Sequence, residues 1–160
     1  MTCHRPAPLW LPDADATDRV GAALGRALVP GDAVLLEGAL GAGKSALARA
    51  AIRARTGPET EVPSPTFTLV QIYEAPGAML WHADLYRLGG PEEVVELGLE
   101  AAFAEAICLV EWPERLGPWR PQRAVTLRLE MDPGSDGRRL AIAAEGGGWD
   151  RVIAALERAV

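Results

Sequence analysis

The stretch Ala33-Val34-Leu35-Leu36-Glu37-Gly38-Ala39-Leu40-Gly41-Ala42-Gly43-Lys44-Ser45-Ala46-Leu47-Ala48-Arg49-Ala50-Ala51-Ile52 decides how this chain folds. Ala33 to Leu36 is an uninterrupted apolar run of the kind that forms a strand buried on both faces of a parallel sheet. Residues 46–52 are good helix formers without Pro or Gly. Between them, Gly38-Ala39-Leu40-Gly41-Ala42-Gly43-Lys44-Ser45 matches G-x-x-x-x-G-K-[ST], a glycine loop whose amides cradle phosphates. Strand, loop and helix stand in the order this chemistry needs. Glycines let N–H groups turn inward, and the helix N-terminus adds a partial positive charge beside them.

Lys44 is the only lysine; the other fifteen of the sixteen Lys and Arg residues are arginine. A flexible point charge suits phosphate oxygens, whereas the guanidinium fork suits carboxylates and planar acceptors. Lys44 is therefore the expected catalytic cation. Nucleotide binding falls to Gly38, Leu40, Gly41, Ala42, Gly43, Lys44, Ser45 and Ala46, with Ser45 as a magnesium ligand.

With 160 residues, 49% of them hydrophobic and 24% charged, the chain is expected to be a single domain over 1–160 with a continuous core. No apolar stretch reaches the length of a membrane span. Residues 1–12 carry Pro6, Pro8 and Pro12 and lack an apolar segment of signal-peptide length, so a cytoplasmic location without membrane attachment is expected. The net charge of −6 opposes a broad electrostatic grip on nucleic acid. Cys3, near a terminus expected to fray, and Cys108, in an apolar run, read as free thiols. Arg49, Arg53 and Arg55 read as a solvated helix face, with a docking patch as the alternative.

Elsewhere, Leu9-Trp10-Leu11 predicts a short strand, and Asp13 or Asp15 caps a helix carrying Val20, Leu24 and Leu28. Residues 61–66, with Pro63 and Pro65, predict a rigid exposed loop. Residues 68–73 and 78–83 predict a hairpin turning at Ala75-Pro76-Gly77. Pro91-Glu92-Glu93 opens a helix whose end Gly98 weakens. A second buried run, Ala106 to Val110, delivers Glu111 at its carboxyl end. Val125, Leu127 and Leu129 alternate with polar residues before the turn at 132–137, and Leu140 and Ile142 continue the period, which predicts a half-exposed hairpin. Trp149, Val152, Ile153 and Leu156 mark the face of a closing helix. These elements predict an α/β fold: a P-loop NTPase-like three-layer sandwich with a mixed, mostly parallel central sheet, helices on both faces and a C-terminal antiparallel hairpin.

Phosphate chemistry calls for magnesium held by oxygen ligands. Glu111, at the end of a buried strand, is the expected metal and catalytic carboxylate. Asp84, at the end of the preceding strand, is expected either to bind metal or to orient an attacking water. His82 is read as a hydrogen-bonded histidine with a proton-shuttle role as the alternative. Thr66 suits equally a loop that senses a terminal phosphate or metal and a hydroxyl that closes a turn, and Trp112 suits either a cover for the nucleotide or partner edge or simple packing.

Ser64-Pro65-Thr66-Phe67-Thr68-Leu69-Val70, His82-Ala83-Asp84-Leu85-Tyr86-Arg87, Glu111-Trp112-Pro113-Glu114 and the glycine loop together resemble the TsaE (YjeE) family, the small bacterial ATPase of tRNA threonylcarbamoyladenosine biosynthesis. The likeness spans roughly residues 9–130. It implies a protein that binds and hydrolyses ATP with magnesium, weakly alone and more actively with partners. Those partners are a TsaD-like threonylcarbamoyl transferase and its inactive TsaB-like paralogue, and tRNA is met indirectly through that complex, where adenosine 37 is modified. The resemblance assigns phosphate and magnesium to Lys44 and Ser45, the switch-like loop to Thr66, metal or water to Asp84, and magnesium to Glu111; Trp112 also matches. Ala39 stands where the family has an acidic or amide residue, Ser45 where it has threonine, and Gln71-Ile72-Tyr73 where Asn-Glu-Tyr is common.

Two other readings compete. A small-molecule kinase would use Asp84 as base and Arg115, Arg120 and Arg123 as a lid; a passive module would use nucleotide only to order residues 63–67. A GTPase is disfavoured because its guanine-reading Asn-Lys-x-Asp element needs a second lysine.

Overall fold

The computed structural model describes residues 2–160; Met1 lies outside them. Its centre is the buried strand β3 (Ala33–Glu37), flanked in parallel by β6 (Ile107–Glu111) and β7 (Ala124–Met131). Beyond β6 lies β5 (Ala78–Asp84), also parallel. Antiparallel strands close both edges. β4 (Val70–Ala75) pairs with β5 through the turn at Pro76 and Gly77, while β8 (Arg138–Glu145) pairs with β7 and in turn with β1 (Cys3–His4) and β2 (Leu9–Leu11). The order β1-β8-β7-β3-β6-β5-β4, with β2 on β8, joins all eight strands in one sheet.

Each face of the sheet has its own apolar layer, because successive side chains of a strand point to opposite sides. On one face Val34, Leu36, Leu109, Leu127 and Leu140 pack against α1 (Ala14–Ala27), α2 (Lys44–Thr56) and α5 (Asp150–Arg158). On the other, Leu35, Cys108 and Val110 meet α3 (Glu92–Glu96), α4 (Leu99–Glu105) and the 3-10 segment Pro113–Trp119. Helix α1 is capped by Asp13, whose side chain accepts from Ala16 N–H at 2.8 Å. It crosses α2 closely at Gly21, where an added Cβ would stand 2.7 Å from the Ala50 methyl.

Four expectations change. The helix opened by Pro91 is two short helices, because Gly98 adopts φ +84° and starts α4 afresh. Cys3 is not in a frayed end: it pairs with Glu145 on β8. The first strand of the hairpin starts at Val70 rather than Thr68, since Leu69 turns with φ +67°. Arg49, Arg53 and Arg55 are not a solvated face; they donate to the carbonyls of Val62, of Thr60, and of Gly25 and Leu28. These bonds tie α2 to the proline-rich loop and to α1. Both cysteines are free, as expected, and burial pushes the Cys108 thiol up to about 12.

Asp32, just before β3, fastens the C-terminal helix to this frame. Its buried carboxylate accepts from Arg123 at 2.8 Å, from Arg151 at 2.6 Å and from Val29 N–H at 2.9 Å. Arg123 also lies over the Trp149 ring, 4.2 Å from its centroid. Asp32→Ala removes three hydrogen bonds at once and is expected to cost about 2–3 kcal/mol, read as a lower denaturant midpoint at unchanged m-value.

Candidate functional site

The site forms where β3, β6 and β5 end together. Parallel pairing sets Leu36 opposite Glu111, and Glu111 opposite Asp84, so the carboxyl ends of three adjacent strands share one edge. The period of two places His82, Asp84 and Glu111 on the face that carries α2. From the end of β3 the chain turns through Gly38–Gly43 and enters α2 at Lys44. Gly38, Gly41 and Gly43 adopt φ of +142°, +80° and +108°, a region that other residues enter at a cost. No side chain caps α2, so the N–H groups of its first turn lack such a partner.

Lys44 is 4% exposed, and its amine folds back to donate to the carbonyls of Gly38 and of Ala39, the latter at 3.1 Å. The Trp112 ring covers it at 4.3 Å from the centroid, and Tyr86 packs on Trp112 at 4.9 Å between centroids. Desolvation holds the Lys44 amine below the ordinary lysine range, although the carboxylates of Glu111, Asp84 and Glu114 pull the other way. Trp112 itself sits at φ +59°, a left-handed conformation that costs of order 1 kcal/mol for a bulky residue.

Ser45 Oγ donates to the Glu111 carboxylate, 3.0 Å from Oε1 and 3.2 Å from Oε2. His82 Nε2 lies 2.7 Å from Glu111 Oε2, and both residues are buried. An ionised carboxylate only accepts, so Nε2 carries the hydrogen, which leaves Nδ1 as a buried atom without a partner. His82 is thus the hydrogen-bonded histidine expected from the sequence. Asp84 accepts from Tyr86 N–H at 3.0 Å and from the Thr66 hydroxyl at 3.5 Å, and Thr66 in turn contacts Ser64 at 3.1 Å.

The structure therefore brings Lys44, Ser45, Thr66, Asp84, Glu111 and Trp112 together around one strand edge. Leu40 stands at the loop tip, 67% exposed. Ala46 lines an open cleft of about 500 Å³ with Asp13, Asp15, Thr17, Gly43 and Arg138. A second cleft, of about 740 Å³, runs past Glu37, Gly38, Ala39, Trp112 and Glu114. Two of the arginines considered for a lid are committed elsewhere: Arg120 to Thr126 and Glu145, Arg123 to Asp32 and the Gly147 carbonyl. Sequence reasoning missed Arg138, which donates to loop carbonyls from the far hairpin. No local pattern signals a partnership across 96 residues.

A hydroxyl and a carboxylate that face each other at 3.0 Å offer the all-oxygen donors that magnesium takes, so Ser45 and Glu111 fit such an ion; Asp84 adds a second carboxylate nearby.

The family model for threonylcarbamoyl adenosine biosynthesis protein TsaE matches residues 11–140. The tRNA threonylcarbamoyladenosine biosynthesis protein TsaE of Rickettsia bellii is 38% identical over 117 residues, 73% of this chain and 81% of its own length. The protein of the same name from a Nostoc species is 37% identical over 146 residues, 88% and 87% of the two chains. The crystal structure of Bacillus subtilus YdiB superposes with a TM-score of 0.78 over 99% of this chain and 97% of that one at 23% identity, which shows a shared fold. No helix among the described residues is long and apolar enough to cross a membrane.

Because Lys44 is the only lysine, its Cε resonance reports one amine without assignment. In the free protein that resonance is expected to titrate below the ordinary lysine range. Trp112→Ala lets water reach the amine and is expected to move the midpoint upward; an unmoved midpoint by carbon NMR counts against Trp112 as the cover.

Proposed function

The chain belongs to the TsaE family, whose proteins take part in tRNA threonylcarbamoyladenosine biosynthesis, and from that premise we propose that it is a magnesium-dependent ATP-binding and ATP-hydrolysing P-loop protein. In this reading it acts on a TsaD-like transferase and its TsaB-like paralogue to permit turnover of adenosine 37 modification. It meets tRNA through that complex. The observation that carries the reading is the contact between Ser45, last residue of the glycine loop, and Glu111, at the end of the neighbouring parallel strand.

Each residue then has a task set by its position. Amides from Gly43 to Ala46, at the positive end of α2, would face the phosphates, while the Ala42 N–H stays on the Ala39 carbonyl. Lys44, already on the loop carbonyls, spans from them to the terminal phosphate oxygens, and low exposure strengthens that attraction. Ser45 and Glu111 would hold magnesium, which supplies charge neutralisation at the phosphates when bound. Asp84, fixed by the Tyr86 amide and the Thr66 hydroxyl, orients the attacking water or holds a metal-bound one. Thr66 links that carboxylate to the proline-rich loop, so phosphate occupancy and the position of exposed Phe67 are coupled. Trp112 excludes water from the amine.

The kinase alternative loses support from the engagement of Arg120 and Arg123. Hydrolysis measured alone, with a tRNA-modifying complex and with small hydroxyl acceptors separates the readings: stimulation by the complex is expected, and stimulation only by an acceptor overturns it.

Lys44→Ala is expected to weaken ATP binding or turnover by at least ~100-fold while the circular dichroism spectrum stays unchanged; unchanged affinity in the folded variant counts against the reading. Glu111→Ala is expected to abolish partner-stimulated tRNA modification while ATP binding persists. Full modification by that variant would favour the passive module.

A further inference from the structure

The geometry points to Arg138 as a positioning residue that sets the glycine loop from the opposite hairpin, a role that rests on the nucleotide reading above. Arg138 opens β8 and is paired on both sides, with Leu11 of β2 and Met131 of β7. Its backbone is therefore anchored in the sheet. From there Nε donates to the Ala42 carbonyl at 3.0 Å and Nη2 approaches the Gly41 carbonyl at 3.5 Å. Nη1 donates to the carbonyls of Asp136 and Gly137 at 2.9 and 3.1 Å, so one guanidinium joins the hairpin turn to the loop.

The loop needs such a tether. Gly41 is exposed, and a Cβ placed on it would meet nothing within 4 Å. Leu40 beside it points to solvent. Ala42 is buried against the core, but Leu40 and Gly41 before it have little packing, so the peptide planes on that side are set by hydrogen bonds. In a trans peptide the carbonyl of one residue and the N–H of the next point in opposite directions. Holding the Ala42 carbonyl toward β8 aims the Gly43 N–H the other way, where a phosphate would sit. The Gly41–Ala42 plane is held at both ends, its carbonyl by Arg138 and its N–H by the Ala39 carbonyl at 3.1 Å. A lysine could reach one carbonyl but lacks the planar fork that spans both sides.

If Arg138 only closed its own hairpin, its loss would loosen the Asp132 N–H, which donates to the Gly137 carbonyl at 3.0 Å, rather than the Ala42 N–H. Amide hydrogen exchange on the free full-length protein separates these two amides. In Arg138→Ala, exchange at Ala42 is expected to rise about fivefold or more and ATP affinity to fall roughly tenfold, with Asp132 little changed. Arg138→Lys should fall between, and answers the same question if the alanine variant does not fold. Unchanged exchange at Ala42, or equal loosening at Ala42 and Asp132, overturns the assignment. Unchanged ATP affinity with a loosened loop overturns it as well. A wild-type protein that does not bind ATP would sink the nucleotide reading, yet the exchange measurement would still decide whether Arg138 holds the loop.

Discussion

The Glu111 carboxylate is the group on which the site depends. It is only 2% exposed, and an ionised carboxylate so placed is tolerated only when its oxygens are hydrogen-bonded or bind a cation. Ser45 reaches it from α2 and His82 from β5, so one acid joins the loop helix to two strands. That junction exists because β3, β6 and β5 are parallel and in register. A shift of one residue along β6 would turn Glu111 to the opposite face and bury Val110 against Ser45 instead. The runs Ala33–Leu36 and Ile107–Val110 are apolar on both faces, so the penalty for that shift falls on Glu111, whose buried carboxylate would lose both Ser45 and His82. The site carboxylate thus helps to fix the register that the apolar runs leave open.

This explains which parts were legible in the sequence. Each buried run announced its strand, the glycine loop announced the turn between β3 and α2, and an acid directly after a buried run announced Glu111. Local signals sufficed because each feature spans a few consecutive residues. The break at Gly98 was visible only as a weakness, since a glycine that ends one helix and a glycine that begins another look alike until the backbone reaches φ +84°. Strand β1 was hidden because Cys3 and His4 have no pattern of their own; β8 supplies their partners. Arg138 escaped for the same reason, its acceptors lying far back in the chain. His82 was legible as a bonded histidine but not in its partner, which depends on the offset between β5 and β6.

Backbone strain gathers beside the site rather than across the molecule. Among the described residues, Leu69 and Trp112 are the non-glycine positions with positive φ. Leu69 accepts from Asp84 N–H at 2.9 Å and donates to the Pro65 carbonyl at 2.8 Å, so its turn joins the proline-rich loop to the Asp84 strand. Trp112 turns the chain directly after Glu111 and lays its ring on Lys44. Neither conformation is favourable in isolation, and each persists because neighbouring strands hold it. The two strained residues flank Asp84 and Glu111, where small changes in backbone direction would move the carboxylates most.

The uneven use of cations follows from the same geometry. Arg53 makes one bond to the nearby Thr60 carbonyl, but Arg55, Arg123, Arg138 and Arg151 each make two or more, to backbone carbonyls or the Asp32 carboxylate, and join elements distant in sequence. A guanidinium suits this work because its donors are fixed in a plane and its charge does not titrate. Lys44 does something different: its amine is desolvated under an indole and rests on carbonyls that can only weakly compensate a full charge. Glu111, Asp84 and Glu114 supply negative charge around it without a direct ion pair, so the amine stays available at the mouth of the glycine loop. Those five arginines hold the protein to itself, whereas the lone lysine is held only by backbone carbonyls and the face of an indole.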